Sequence, residues 1–373
     1  MQYRAQAARQ ADAGALVTAG RDGVCLPPTE RIREAVATIK DVARLAGVGL
    51  GTASRVISGK GSVSQATLEK VRKAIEELEF RPSHAARSLL SGSSQMIGVY
   101  IPYLSGTFYT PILQSIYTAL RASGLNMVVA FGVGEGDARQ QAIEGVNFLI
   151  ERGSDGLIVM SNSLEDEDFV ALGPFQSRVA VINHAFASIA EQCFTVDHEA
   201  GGRLAARTLL ELGHRRIAVI AGRASAPDNQ QRIAGFMAEL AAAGIDPASV
   251  WMEDGQFSPE GGWACTEQLM ASGYEFTAVF CANDEMAVGA LSCFQQAGVA
   301  VPEQVSVLGY DDTHSAEFTA PRLSSVHIPW SEMTLNGLNF LLNRCYELKR
   351  PVEREYSVHV TQRASLAPVA KKP

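Results

Sequence analysis

Between residues 39 and 78 the apolar positions recur at helical spacing. Ile39, Val42, Ala43 and Ala46 form one set, Ala53, Val56 and Ile57 a second, and Leu68, Val71, Ile75 and Leu78 a third. Gly47, Val48 and Gly49 separate the first two sets, and Ser64, a good N-cap, precedes the third. Two short helices joined by a tight turn, then a third, predict a helix-turn-helix unit of the kind that places its second helix in a DNA major groove. From Met96 the pattern changes. Apolar runs MIGVYI, NMVVAF, GLIVM, VAVI, RIAVIAG, AVFCA and VSVLGY alternate with helix-like segments at 111–123, 137–151, 201–212, 231–243 and 283–297. Short β runs separated by helices of this length predict a parallel, doubly wound sheet. About 270 residues is large for one sheet, so two similar α/β lobes around a cleft are expected.

These patterns divide the chain. Residues 1–36, rich in Ala, Gly and Arg and without periodicity, are expected to be a disordered extension. Residues 37–81 form the helix-turn-helix domain, 82–95 a hinge helix and linker, 96–366 the two-lobed α/β domain and 367–373 a frayed tail. Charge sharpens the division. Residues 37–92 hold nine Lys/Arg against five Asp/Glu, a net of +4, whereas 93–373 hold 18 against 31, a net of −13. A small basic module on a large acidic body offers only one end to a polyanion.

No apolar run approaches the ~18 residues of a membrane span, and no apolar core follows Arg4 and Arg9 as it would in a secretory signal. The six cysteines (Cys25, Cys193, Cys265, Cys281, Cys293 and Cys345) make no CxxC pair and have no metal-ligand spacing. Buried free thiols and a cytoplasmic location are the expectation, with no membrane partner.

Four stretches carry a family likeness: TIKDVARLAGV…T-x-SRVISG with VS…T…KV…AI-x-EL-x-[FY]-x-P; ARSL before the first core strand; VDHEAGGRLAARTLLELGHRRIAVIAG; and CANDEMAVGAL…GVAVPEQVSVLGYDD followed by P-x-LSSVHIP. In this order, from about residue 37 to residue 364, the chain resembles the lactose/galactose-repressor (LacI/GalR) family of bacterial transcription regulators. The resemblance implies a multidomain fold: an all-α helix-turn-helix domain followed by a two-lobed, periplasmic-binding-protein-like α/β core. It also implies a small-molecule effector in the cleft, no further cofactor, and a homodimer or tetramer on a palindromic double-stranded operator. Where the family usually has Ser and Val, this chain has Gly49 and Ala53. Leu50 and Gly51 stand where base-reading residues are often larger or polar.

On the second helix, Leu50, Gly51, Thr52, Ser54 and Arg55 are the groove-facing candidates, with Lys40 and Ser54 placed for phosphates. By resemblance, Leu89 is the wedge that enters the minor groove, Ala86 lets paired hinge helices approach, and Arg87 reaches phosphate or groove. For the cleft, polar groups at the ends of β runs stand where α/β sheets bind ligands. Asp311 accepts from hydroxyls, Asn183 and Asn283 both donate and accept, and Arg232 donates in a planar fork. Phe108, Tyr109 and Phe257 offer aromatic faces. That mixture suits a mono- or disaccharide, with a purine or nucleoside as the alternative.

Two features carry less. GVGEG at 132–136 lacks the full phosphate-loop spacing and its Lys, and His184, His198 and His214 are scattered without Cys or His at ligand spacing. With no nucleophile elbow, metal cluster or nucleotide fingerprint, an enzyme is not expected. A sugar-binding protein of a transport system, the remaining rival, would need an export signal.

Overall fold

The computed structural model describes residues 37–58, 62–80, 93–104, 106–132 and 136–369, in two compact units that divide after residue 83. Among its described residues the first unit has three helices, α1 (Ile39–Leu45), α2 (Leu50–Ser58) and α3 (Gln65–Glu77). Thr38 and Asp41 close a capping box on α1, the Thr38 amide donating to Asp41 Oδ2 at 3.0 Å. Ser64 caps α3 by accepting from the Thr67 amide at 3.3 Å. Gly47 turns the chain between α1 and α2 with φ +64°, a conformation that a side chain would strain. Val42, Ala46, Val71, Ala74 and Phe80 make the core of this unit, the apolar periodicity in physical form.

The second unit holds two sheets. In the first, β1 (Met96–Ile101), β2 (Asn126–Phe131), β3 (Gly156–Val159), β4 (Val179–Ile182) and β5 (Cys193–Phe194) lie in the order β2-β1-β3-β4-β5, all parallel. Helices α4 (Tyr109–Ala122), α5 (Ala138–Glu151) and α6 (Asp166–Ala171) follow β1, β2 and β3. The second sheet has the order β11-β10-β9-β8-β6-β7, built from β6 (Ile217–Ala221), β7 (Met252–Asp254), β8 (Ala278–Cys281), β9 (Ser306–Asp311), β10 (Ser324–His327) and β11 (His359–Thr361). Only the β10–β11 pairing in it is antiparallel. Helices α7 (His198–Glu211), α8 (Pro227–Ala242), α9 (Pro259–Ala271) and α10 (Asp284–Gln296) belong to this lobe.

One more helix, α11 (Trp330–Tyr346), lies between β10 and β11 of the second sheet in sequence but packs on the first, where Gly337 lies close against Ile182. The chain therefore crosses between the lobes three times: after β5, before α11 and after it.

The apolar runs predict β1–β4, β6, β8 and β9. They miss β5, β7, β10 and β11, and the reasons are physical. β7 is exposed throughout, and β10 reads as polar because it contains Ser324 and Ser325, although both are buried. Their hydrogen-bonding groups are satisfied inside, Ser325 Oγ donating to Asp284 at 2.6 Å and the Ser324 amide to Ser365 Oγ at 2.8 Å. Part of the expected tail is also tied down: Ala367 N donates to Ser306 Oγ at 3.0 Å, and the Val369 amide to the Leu212 carbonyl at 2.9 Å.

Candidate functional site

The C-terminal strand ends of the two sheets converge on a cleft. All seven residues expected there, Phe108, Tyr109, Asn183, Arg232, Phe257, Asn283 and Asp311, line one inner cavity of about 60 Å³. It shares Phe108, Asn183, Phe257 and other walls with an outer cavity of about 510 Å³. Five further residues complete the inner lining: Tyr103, Asn162, Asp228, Glu285 and Trp330. Pattern reading missed them because a lone polar or aromatic residue beside a strand carries no signal until the topology places it.

Arg232 is the centre of the polar side. The helix begins at Pro227, earlier than the apolar spacing indicates, so Arg232 lies in the second turn and pairs at 2.9 Å with Asp228, four residues before it. Both are almost fully buried. One guanidinium nitrogen donates to the Ala282 carbonyl, and the planar group stacks over the Tyr310 ring at 4.1 Å. Asp228 also accepts from Asn162 Nδ2 at 2.9 Å and Asn183 Nδ2 at 3.1 Å, both on the first lobe. A second bridge between lobes is Glu285, which accepts from the Thr107 amide at 2.6 Å and packs directly on Gly106.

His198 sits behind this network, with Nε2 2.6 Å from Asn183 Oδ1 and Nδ1 3.0 Å from the Tyr310 hydroxyl. Burial, reinforced by the nearby Arg232 charge, pushes its pKa down to about 3, so the ring is neutral. An amide oxygen only accepts, so Nε2 carries the hydrogen and Nδ1 accepts from Tyr310. His198 thus fixes the direction in which Asn183 presents its Nδ2.

Strain and unmet polar groups gather at the same place. Asn183 (φ 71°), Gln256 (φ 57°), Phe257 (φ 59°) and Asp311 (φ 104°) all adopt the left-handed region, and non-glycine residues held there cluster at binding sites. Asp311 Oδ1, Arg232 Nε and Trp330 Nε1 are buried and find no hydrogen-bond partner among the described residues. Burial raises the Asp311 pKa well above the usual carboxylate value, against the pull of Arg232. On the first lobe the wall is aromatic: Tyr103 meets Tyr109 edge-on at 5.2 Å, and Phe108 meets Trp330 edge-on at 4.9 Å. Asn283 caps α10, accepting from the Met286 amide at 2.9 Å.

In the first unit, Lys40, Leu50, Gly51 and Arg55 are exposed, while Thr52 and Ser54 are half-buried. A Cβ at Gly49 or Gly51 would meet nothing within 4 Å. Neither glycine is demanded by packing, so the leading edge of α2 is a bare surface. Ala86, Arg87 and Leu89 lie outside the described residues.

Comparison with known proteins agrees with both units. Residues 38–83 match the family of bacterial regulatory proteins, lacI family, and residues 206–366 match a periplasmic binding protein-like domain. The HTH-type transcriptional repressor PurR of Vibrio parahaemolyticus is 34% identical over 310 residues, 83% of this chain and 92% of that protein. The chain belongs to the lacI family of bacterial regulatory proteins. It is accordingly a DNA-binding transcriptional regulator, with the helix-turn-helix unit and two-sheet core of that family. Among solved structures, a lacI-family regulator from Burkholderia phymatum is 48% identical, covering 73% of this chain and 99% of that one with a TM-score of 0.71. The regulator CelR, solved as a cellobiose complex, is 31% identical over 88% of this chain and 99% of its own, with a TM-score of 0.60. No described helix is long and apolar enough to cross a membrane.

Proposed function

We propose that the protein is a repressor of a sugar-utilisation operon, released from or held on its operator by a mono- or disaccharide bound between the lobes. The observation that carries this is the trio of unpartnered buried atoms around one cavity: an acceptor on Asp311 and donors on Arg232 and Trp330. A hydroxyl group donates and accepts at once, so a polyol meets all three, and its C–H face suits the Phe108, Phe257 and Trp330 rings. The Asp228 and Glu285 carboxylates in the same lining disfavour a phosphate or carboxylate ligand. The cellobiose complex of CelR supports the same class.

In this mechanism a ligand that bridges the lobes competes with the Asn162–Asp228, Asn183–Asp228 and Thr107–Glu285 contacts, and so changes how the lobes meet. To act as a switch it must bind the two arrangements differently by about 1–3 kcal/mol. Its output passes through residues 82–95 to α2, with Thr52, Ser54, Arg55 and Lys40 on DNA, Leu50 and Gly51 at the groove, and Leu89, Ala86 and Arg87 in a paired hinge. The homodimer on a palindrome rests on the family resemblance.

The PurR relatives keep a second reading alive: a purine stacked on the aromatic wall. Calorimetry of the full-length protein with a panel of free sugars and with hypoxanthine and guanine separates the two. Saturable binding of a sugar is expected, and binding of a purine alone overturns the sugar reading.

A further inference from the structure

Helix α11 has one end in the cleft and the other beside the strand-leading residues 93–95. At its first residue, Trp330 lines the cavity and packs edge-on against Phe108. At its last, Tyr346 donates its hydroxyl to Asp155 Oδ2 at 2.7 Å. The same carboxylate accepts from Ser93 Oγ at 2.7 Å, the Ser94 amide at 2.9 Å and the Gln95 amide at 2.8 Å. Cys345 adds a contact from its thiol to the Asp155 carbonyl at 3.2 Å. With 17 residues, α11 spans about 25 Å at roughly 1.5 Å per residue.

Between its ends the helix is held along two sides. Met333, Leu338, Leu341 and Leu342 are fully buried. Its outer edge is an asparagine ladder on the returning chain: the Glu353 amide donates to Asn336 Oδ1 at 2.7 Å, Asn339 Nδ2 to the Pro351 carbonyl at 3.0 Å, and Asn343 Nδ2 to the Arg350 carbonyl at 2.9 Å. A helix fastened in this way shifts as a body, on the scale of about 1–2 Å seen for packed helices, because bending would break the ladder.

We propose that α11 is the link by which the state of the cleft reaches residues 93–95, with Asp155 as the positioning residue at its far end. Those residues follow directly on the segment that leads to the DNA-binding unit, so a shift of α11 moves that segment's point of attachment. The inference goes beyond the sugar-regulator reading and rests on it only for its biological use.

The test is amide hydrogen exchange at Ser94 and Gln95 in the full-length protein, with neither ligand nor DNA. Tyr346→Phe removes the α11 hydroxyl from Asp155 and should speed both amides about tenfold, as expected for a bond to a charged acceptor. Trp330→Ala, at the opposite end of the 17-residue helix, should speed them by at least about threefold through the same link. Phe257→Ala, on the opposite wall and not on α11, should leave them unchanged. In the double variant Tyr346→Phe/Trp330→Ala, the two effects should combine to clearly less than their product, because Tyr346→Phe has already weakened the link that Trp330 acts through. Multiplying effects, an equal response to Phe257→Ala, or no response to Trp330→Ala would each overturn the proposal. Trp330→Leu serves if Trp330→Ala does not fold. Since no arm reads sugar or operator, failure here leaves the sugar reading standing, and the reverse also holds.

Discussion

The two walls of the cleft are built differently. The second lobe supplies charge in depth: Asp228, Arg232, Glu285 and Asp311, with Asn283 at a helix cap and Tyr310 beneath the guanidinium. The first lobe supplies aromatic faces and two amides: Tyr103, Phe108, Tyr109, Trp330, Asn162 and Asn183. Buried charges are costly unless their partners are fixed, so the second wall must be rigid before a ligand arrives. Edge-to-face rings and neutral amides carry no net charge, so displacing them leaves no buried ion unpaired. The second lobe therefore reads as the platform and the first as the cover that closes on it.

That contrast can be broken most severely at Asp228. Asp228→Ala leaves Arg232 buried without its carboxylate and should destabilise the second unit by about 3–5 kcal/mol in denaturant unfolding. Asn162→Ala, which removes a first-lobe donor to the same carboxylate, should cost only about 1 kcal/mol. Equal losses would mean that the cover is bound into the network as tightly as the platform.

A pH series tests the network behind the cover. The folded pKa of His198, about 3, lies below its ordinary 6.5. Its contribution to stability is thus fully present above pH 6.5 and lost as pH falls toward 3. Below 6.5 the wild type should lose about 1.4 kcal/mol per pH unit from this group, and His198→Gln should flatten that slope. A variant with the wild-type slope would show that the ring is not held neutral.

The smallest effect is expected on α2. Because a Cβ at Gly51 meets nothing, Gly51→Ala should stabilise the first unit by up to about 1 kcal/mol through helix propensity. Any destabilisation would show a packing demand on that glycine.

The same chain was legible to different depths in different places. The helix-turn-helix unit was plain because α1, α2 and α3 bury a periodic stripe (Val42, Ala46, Val71 and Ala74) between recognisable caps and turns. The alternation of apolar runs likewise gave the doubly wound lobes. Strand-end positions, together with the family likeness, brought all seven cleft candidates to one cavity. What stayed hidden depends on distance in sequence. The return of α11 to the first lobe, the polar interior of β10, and Asp228 reaching Asn162 and Asn183 are facts of tertiary packing. Asp155 is hidden for the same reason, since its partners Ser93 and Tyr346 lie 62 and 191 residues away.

In the proposed function, a sugar bound between the lobes controls how tightly the first unit holds its operator. The most direct test of this control is operator affinity of the full-length protein with and without the sugar found by calorimetry, in wild type and in Asp311→Ala. The wild type should change its operator affinity by about 5- to 150-fold, the usual range of such coupling. Asp311→Ala should bind operator as wild type does without sugar and show no change when sugar is added. An undiminished sugar response in Asp311→Ala would contradict the account.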